Sequence, residues 1–335
     1  MGREIELKLL VHDDWKDRIS NHPLVKRFAV GKASWHQLFN IYYDTPDFQL
    51  YSRGMALRVR KEEGGQLVQT LKTAGEVVGG MSHRGEWEWP LPNDTLQPDL
   101  IPHQLWPPGV VKGGADIPIP LFHTDFERSR QLLYIPAGAL TSNQAEAKIE
   151  LAFDRGLVRA IISDEKRTDK IFEIEMELML GKPETLFDLA LLLTAGFPVQ
   201  PCDISKAERG YRLLGAQRFS KDEYPDRLPL MNAPVETGFF DEMTWSFGVW
   251  VQRLEYFQYS GNPAHLAAAG RAIERMGMLM TFFNSMLPES QTRQWQEILA
   301  TVAEQCRKKV IPDGTGAVML ALAKWIYCRE WLNQQ

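Results

Sequence analysis

Five short stretches of this chain alternate charged and apolar residues with a period of two. The first, Glu4-Ile5-Glu6-Leu7-Lys8-Leu9, sets two carboxylates and an ammonium on one face of a strand and Ile5, Leu7 and Leu9 on the other. The pattern returns at Arg58-Val59-Arg60, Glu86-Trp87-Glu88-Trp89, Lys148-Ile149-Glu150-Leu151 and Glu173-Ile174-Glu175-Met176-Glu177-Leu178. One such strand is explained by an antiparallel sheet with a wet face. Five of them, with three glutamates gathered on one strand and two arginines on another, need cations or polyanions to relieve the repulsion between like charges. The pattern points to a closed or nearly closed sheet whose charged faces line an interior cavity and whose apolar faces are covered by helices outside.

Further motifs follow in chain order: Tyr43-Asp44-Thr45-Pro46, Ala56-Leu57-Arg58-Val59-Arg60, Thr70-Leu71-Lys72, Arg84-Gly85-Glu86, Phe126-Glu127-Arg128, Ile149-Glu150 with Asp154-Arg155-Gly156, and Ser205-Lys206-Ala207-Glu208-Arg209-Gly210-Tyr211. Together with the opening Glu4-x-Glu6-x-Lys8, this ordered set resembles the signature of the CYTH superfamily, the triphosphate tunnel metalloenzymes, over roughly residues 1 to 212. The fold class expected is therefore α+β: an antiparallel closed β-barrel, the triphosphate tunnel, with outer helices, followed by a separate all-α helical bundle.

The composition suits two soluble domains, with 335 residues, 44% hydrophobic and 24% charged. The chain opens on charged strand residues, so no signal peptide is expected, and no apolar run approaches the ~20 residues of a membrane span. Cys202, Cys306 and Cys328 lack metal-type spacing and read as small buried side chains, which together point to a reducing cytoplasm. The net charge of −5 argues against a general nucleic-acid binder. The basic residues that count are confined to strand faces, where a cavity can focus their field on a compact polyanion.

Along the chain, a helix is expected from His12 to Phe28, with Pro23 as a break, then a strand from Leu38 to Tyr43 and a turn at Thr45-Pro46-Asp47. A hairpin follows from Ala56 to Thr73 around Gly64-Gly65, then a loop from Gly75 to Gly80 and a strand from His83 to Trp89. Eight prolines between Pro90 and Pro120 indicate a surface insertion. Strands are expected at Leu121–Ile135, Ala145–Phe153, Leu157–Ser163 and Ile171–Leu180, and a packing helix at Glu184–Ala195. The tunnel domain is thus assigned to residues 1–215, a proline-bearing linker to 216–238 and a helical domain to 239–335. Asn262-Pro263 caps one of its four helices. This tail resembles the beginning of a CHAD domain, in partial length. Its one histidine, His265, reads as a helix residue near a cap, and nine basic against nine acidic residues give it no strongly basic face.

The residue types specify the chemistry of the cavity. Arg58, Arg60 and Arg128 suit bidentate phosphate contacts, Lys8, Lys72 and Lys206 add point charges, and Arg84 and Arg130 are further phosphate-binding candidates. Glu4, Glu6, Glu173, Glu175 and Glu177 offer hard oxygen ligands suited to Mg²⁺ or Mn²⁺. Glu150 and Asp154 join that ligand set. Rim positions or surface ion pairs compete as readings of Glu88, Glu177 and Arg130, and a turn competes as a reading of Asp154. The resemblance implies catalytic roles for Glu4, Glu6, Lys8 and Lys72 and an in-line attack of water on a terminal phosphorus, with no Ser, Cys or His nucleophile.

What the resemblance implies for function is hydrolysis of inorganic triphosphate by a cytoplasmic monomer, with the helical domain as a polyphosphate contact and no nucleic acid or membrane as partner. A class IV-type adenylate cyclase and a thiamine triphosphatase share the tunnel and stand as alternatives. A non-catalytic polyphosphate or nucleotide binding module is an alternative of another class, but it gains nothing from so many strand carboxylates without metals. Trp15, Trp35, Trp87 and Trp89 read as packing outside the sheet instead of as a base-stacking clamp.

Overall fold

The computed structural model describes residues 2–11, 16–107, 110, 117–140, 145–195, 197–216 and 234–332. Ten strands form one antiparallel sheet: β1 (Gly2–Val11), β2 (Ala29–Asp44), β3 (Ala56–Glu62), β4 (Leu67–Lys72), β5 (Glu76–Val78), β6 (Met81–Leu91), β7 (Ile119–Ile135), β8 (Ala147–Ile162), β9 (Glu165–Leu180) and β10 (Val199–Pro201). Pairing runs β1-β9-β8-β7-β2-β3-β4-β6, and β6 returns to β1 with Arg84 opposite Glu4 and Ser82 opposite Glu6. Eight strands therefore close a ring. The short strands β5 and β10 attach outside it, to β6 and to the end of β1.

The period-two alternation decides what each face meets. Leu7 and Leu9 point outward and are fully buried, as are Ile149 and Met176. They share one core with Leu186 and Phe187 of helix α4 (Glu184–Leu193), a core in which burying each such side chain contributes about 1.5–3 kcal/mol. The helical tail, α6 (Val235–Ser260), α7 (Pro263–Phe282), α8 (Glu289–Arg307) and α9 (Thr315–Tyr327), extends this core through Phe247, Trp250, Ile273 and Leu320. Hydrogen bonds seal the contact: the Tyr327 hydroxyl to His83 Nε2 at 2.6 Å, Lys324 Nζ to Asp188 Oδ1 at 2.7 Å and Gln258 Nε2 to Gln200 Oε1 at 2.8 Å. Among the described residues, no helix is long and apolar enough to cross a membrane.

One end of the ring is filled from within. Helix α5 (Lys206–Leu213) packs Ala207 and Tyr211 against the inward-facing Phe122, Phe126, Val158 and Ile171. Gly210 makes the fit possible, because a Cβ there would stand 2.1 Å from the Phe122 ring. Helix α3 (Gln49–Ser52) follows the turn after β2 and is tied to the same end through Asp44, whose carboxylate accepts from the Leu50 and Tyr51 amides and from the Tyr211 hydroxyl.

Several elements differ from their sequence reading. The helix expected over His12–Phe28 is two helices, α1 (Lys16–Ser20) and α2 (Pro23–Phe28), because Pro23 starts a helix better than it continues one and His22 Nδ1 caps it; residues 12–15, with Trp15, lie outside the described residues. The strand expected over Leu38–Tyr43 is the C-terminal part of the much longer β2, and the Gly75–Gly80 loop holds β5. The two strands expected on either side of Asp154-Arg155-Gly156 are one, β8, so these residues form no turn. Gly156 sits mid-strand because a Cβ there would lie 2.4 Å from Phe126 Cβ. Within the proline-rich insertion the described residues form two 3-10 turns, Pro98–Leu100 and His103–Leu105. Helix α6 begins at Val235, inside the stretch read as linker, whose residues 217–233 lie outside the described ones. Asn262 caps α7 as expected, accepting from the Ala264 amide at 3.0 Å, and Cys202 and Cys306 are buried free thiols.

Candidate active site

A cavity of about 240 Å³ occupies the ring on the open side of α5. Eight cationic side chains line it, Lys8, Arg58, Arg60, Lys72, Arg84, Arg128, Arg130 and Lys206, against seven carboxylates, Glu4, Glu6, Glu86, Glu88, Glu150, Glu175 and Glu177. Every one of these stands at an inward position of its strand or at the start of α5.

The lining strands β3, β4 and β7 carry cations and β8 and β9 carboxylates, while β1 and β6 carry both. On β1, Glu4 is held by Lys72 Nζ at 2.7 Å and by Arg84 Nε at 2.9 Å, while Arg84 Nη2 reaches Glu6 Oε1 at 2.5 Å. Burial alone would raise the Glu4 carboxyl, but Lys72 and Arg84 overcome it and hold the group below its ordinary value. Across the register, Glu6 of β1 stands opposite Glu177 of β9, which stands opposite Glu150 of β8. Three carboxylates in one cross-strand row repel. Accordingly the Glu177 carboxyl is pushed up to about 7, by burial first and then by Glu4 and Glu150, and it makes no ion pair among the described residues. The opposite wall is basic. Arg60 is pushed down to about 10 by burial and by the neighbouring Arg58 and Arg128.

Beneath the cavity lies a second group. The carboxylates of Asp154, Glu173 and Glu175 come within 4.8 Å of one another, a spacing suited to a metal ion. The Lys206 ammonium stands among them, 2.6 Å from Asp154 Oδ2 and 2.9 Å from Glu175 Oε1, and it also pairs with Glu173. Arg128 binds Asp154 through both Nε at 2.6 Å and Nη2 at 2.5 Å and contacts Glu175, and Arg209 Nη2 meets Glu173 Oε2 at 2.9 Å. With these partners Glu175 is held well below the usual carboxylate range despite its burial.

The cavity thus gathers Glu4, Glu6, Lys8, Arg58, Arg60, Lys72, Arg84, Arg128, Arg130, Glu150, Glu175, Glu177 and Lys206 as the sequence suggested, while Asp154 and Glu173 are fully buried behind its wall. Sequence reasoning gave no site role to Tyr42, nor to Glu86, Ser205 and Arg209, although these three lie in motifs it singled out. Strand parity with Asn40 could have placed Tyr42, and the Ser205-x-x-Glu208 capping pattern marks the start of α5. Tyr42 is the one aromatic side chain among the lining residues; Trp35 is exposed on the outside and Trp89 packs against Leu57 and Leu71.

A closed antiparallel ring around a chamber lined by cations and carboxylates defines a tunnel fold. A CYTH domain model matches residues 2–211, and the chain belongs to the CYTH family. It is 34% identical over 227 residues to an inorganic triphosphatase of Haemophilus influenzae, a match that covers 66% of this chain and 58% of the relative, so the chain spans under two thirds of that relative's length. Among solved structures it is similar to a Hippeastrum adenylyl cyclase candidate described as having a dominant triphosphatase activity, with 21% identity, a TM-score of 0.42 and 62% and 95% of the two chains covered. A Pyrococcus horikoshii protein aligns with 17% identity, a TM-score of 0.38 and coverage of 62% and 97%.

Proposed function

We propose that this protein is a metal-dependent inorganic triphosphatase, releasing phosphate and pyrophosphate inside the strand ring. The observation that carries this reading is the cavity itself, where eight cations surround a small chamber whose lining holds one aromatic ring. Inorganic triphosphate needs only charge. A nucleoside or thiamine moiety would look for a stacking partner, and Tyr42 is committed to Phe122, with ring centroids 4.9 Å apart. The identity with the Haemophilus influenzae triphosphatase supports the same substrate.

The balance of charge also supports a divalent cation. Eight cations against seven carboxylates leave little net positive charge for a substrate carrying about four negative ones near neutrality, so the anion arrives best with a cation of its own. The row Glu6, Glu177, Glu150, with Glu4 beside it, fits a hard ion by the chemistry of its oxygens and by the unrelieved repulsion at Glu177. Asp154, Glu173 and Glu175 have the spacing but are closely paired with Lys206, Arg128 and Arg209; Glu4, Glu6 and Glu150 are also paired, with Lys72, Arg84 and Arg130, and what favours their row is Glu177, which has no ion pair among the described residues. We therefore assign Mg²⁺ or Mn²⁺ to Glu4, Glu6, Glu150 and Glu177. When bound, the ion supplies charge neutralisation and activation of water. The chain's own part is to hold the phosphates: Arg58 and Arg60 by guanidinium forks, and Lys8, Lys72, Arg84 and Arg128, whose Nε and Nη2 are held by Asp154, as fixed charges that need no reorganisation as negative charge moves to the leaving oxygen. Residues 1–215 serve as the catalytic unit of a cytoplasmic enzyme, and the helices from 239 onward, CHAD-like, buttress its outer wall.

Phosphate release from inorganic triphosphate, ATP and thiamine triphosphate, each with Mg²⁺, Mn²⁺ or EDTA, tests the reading. Fast release from inorganic triphosphate that EDTA abolishes is the expected result. Cyclic AMP formed from ATP, or binding of triphosphate with no turnover in any metal, would overturn it.

A further inference from the structure

Strand β2 runs between β3 and β7, and its residue Asn40 stands directly opposite Arg60 on one side and Thr124 on the other. Asn40 and Thr124 are both fully buried. The Asn40 amide is engaged at both ends: Nδ2 donates to Thr124 Oγ1 at 2.9 Å, and Oδ1 accepts from Arg60 Nε at 3.3 Å. Thr124 thus fixes which way the amide faces, and the amide fixes the root of the guanidinium. Arg60 lines the chamber, whereas Asn40 and Thr124 lie behind its wall.

The group that holds Arg60 is neutral, which sets this cation apart. Lys72, Arg84, Arg128 and Lys206 each touch a carboxylate of Glu4, Glu6 or Asp154 at 2.7 Å or less. Around Arg60 the carboxylate at ion-pair distance is Glu62, whose Oε1 is 3.7 Å from Nη1, beyond hydrogen-bond reach. Burial and the charges of Arg58 and Arg128 weigh on the Arg60 cation more than Glu88 and Glu86 favour it. A carboxylate in place of the amide would hold the arginine as well, but it would also cancel the charge. An amide oxygen orients Nε and leaves the Nη donors and the full positive charge for a ligand. A fully buried amide between two strands is otherwise a costly choice, since an apolar side chain of the same size brings no polar atoms to satisfy.

We infer that Asn40 is a positioning residue for the reaction: braced by Thr124, it orients the Arg60 guanidinium toward the substrate while leaving its positive charge undiminished. The inference rests on the triphosphate reading above and adds to it a residue that touches no substrate.

The test is steady-state kinetics on inorganic triphosphate with Mg²⁺, using the whole protein, Asn40→Asp, Asn40→Ala, Arg60→Gln and the two double variants. Calorimetric Kd for triphosphate replaces KM if wild type binds without turnover. Asn40→Asp keeps the size of the side chain and the acceptor for Arg60 Nε, and the Thr124 hydroxyl can turn to donate to it, so what changes is the charge. It should raise KM by about tenfold or more, with kcat affected less. Asn40→Ala, which removes the brace and adds no charge, should raise KM by about threefold. In the Arg60→Gln background each Asn40 substitution should change KM by less than about twofold, because the residue it acts through is gone. A folded Asn40→Asp enzyme with wild-type KM, or effects that persist undiminished without Arg60, would overturn the inference and leave the triphosphatase reading standing. If Asn40→Asp does not fold, the cycle of Asn40→Ala with Arg60→Gln decides by the same criterion. Wild type that neither binds nor hydrolyses triphosphate overturns both.

Discussion

Tyr211 donates its hydroxyl to Asp44 over 2.8 Å, and this bond ties the helix inside the ring to the turn outside β2. Asp44 is fully buried, with no ion pair to a cation among the described residues. Five donors replace one: the Thr45 amide at 2.7 Å and its hydroxyl at 3.4 Å, the Leu50 amide at 2.8 Å, the Tyr51 amide at 2.9 Å and the Tyr211 hydroxyl. Tyr211→Phe should therefore cost about 1.5–3 kcal/mol in urea unfolding, the range for a hydrogen bond to a charged acceptor. Asp44→Asn should cost more, because its NH₂ group would face N–H donors in place of accepting from them. The reverse order of the two losses would refute this account of the carboxylate.

Arg209 does not line the tunnel, yet it holds a tunnel residue in place. Its Nη1 bonds the Lys170 carbonyl at 2.7 Å and its Nη2 meets Glu173, the carboxylate that pairs with Lys206. Arg209→Ala leaves a fully buried carboxylate one cation short, a change that costs about 3–5 kcal/mol where such pairs are broken. As a positioning residue it should also raise KM for triphosphate, with partial recovery in Arg209→Lys, which restores charge but not both contacts. A destabilised Arg209→Ala enzyme with wild-type KM would show that Lys206 keeps its place without this support.

The charged and apolar faces of the strands were legible because the period of a strand is two and each face meets one environment. That parity, together with the order of the family motifs, pointed Glu4, Glu6, Lys8, Arg58, Arg60 and Lys72 to one chamber. What a carboxylate does there was not legible. Glu177 and Glu173 are four residues apart on one face, but Glu177 faces Glu6 and Glu150 whereas Glu173 faces Lys206 and Arg209, and those partners are set by ring closure and by α5. The seating of α5 itself depends on Gly210 fitting against Phe122, a contact between segments far apart in the chain. Similarly, Gly156 read as a break between strands because its reason for being glycine, the nearby Phe126, lies on a neighbouring strand.

Arg60 has a cost in the empty protein. Burial and the adjacent Arg58 and Arg128 push it down to about 10, so it stays charged at neutral pH under repulsion that an anion would relieve. Its hydrogen bond to Asn40 Oδ1, at 3.3 Å, is one that glutamine could keep. Arg60→Gln should stabilise the ligand-free protein by about 1 kcal/mol, visible as a rise in Tm of a few degrees. The same variant should show a smaller increase in Tm on adding triphosphate. A fall in Tm without ligand would mean that the positive wall is not under repulsion.

Glu255 of α6 gives the contact between tail and ring a pH dependence. It is buried, and burial, with the charge of Asp203, outweighs the hydrogen bond from Cys202 and pushes it up to about 8. Facing it from the segment after β10 and from α5 are Cys202, Asp203, Glu208 and Arg209; Asp203 is itself pushed up to about 6 by burial. The folded value of Glu255 lies above its unfolded one, so its contribution to stability is intact below about pH 4.5 and drains away as pH rises toward 8. Glu255→Gln keeps the shape and removes the proton that must be lost. Thermal unfolding should therefore show the variant more stable than wild type by a few degrees at pH 8.5 and nearly equal to it at pH 5. The same difference in Tm at both pH values would place the effect in packing and not in the charge of Glu255.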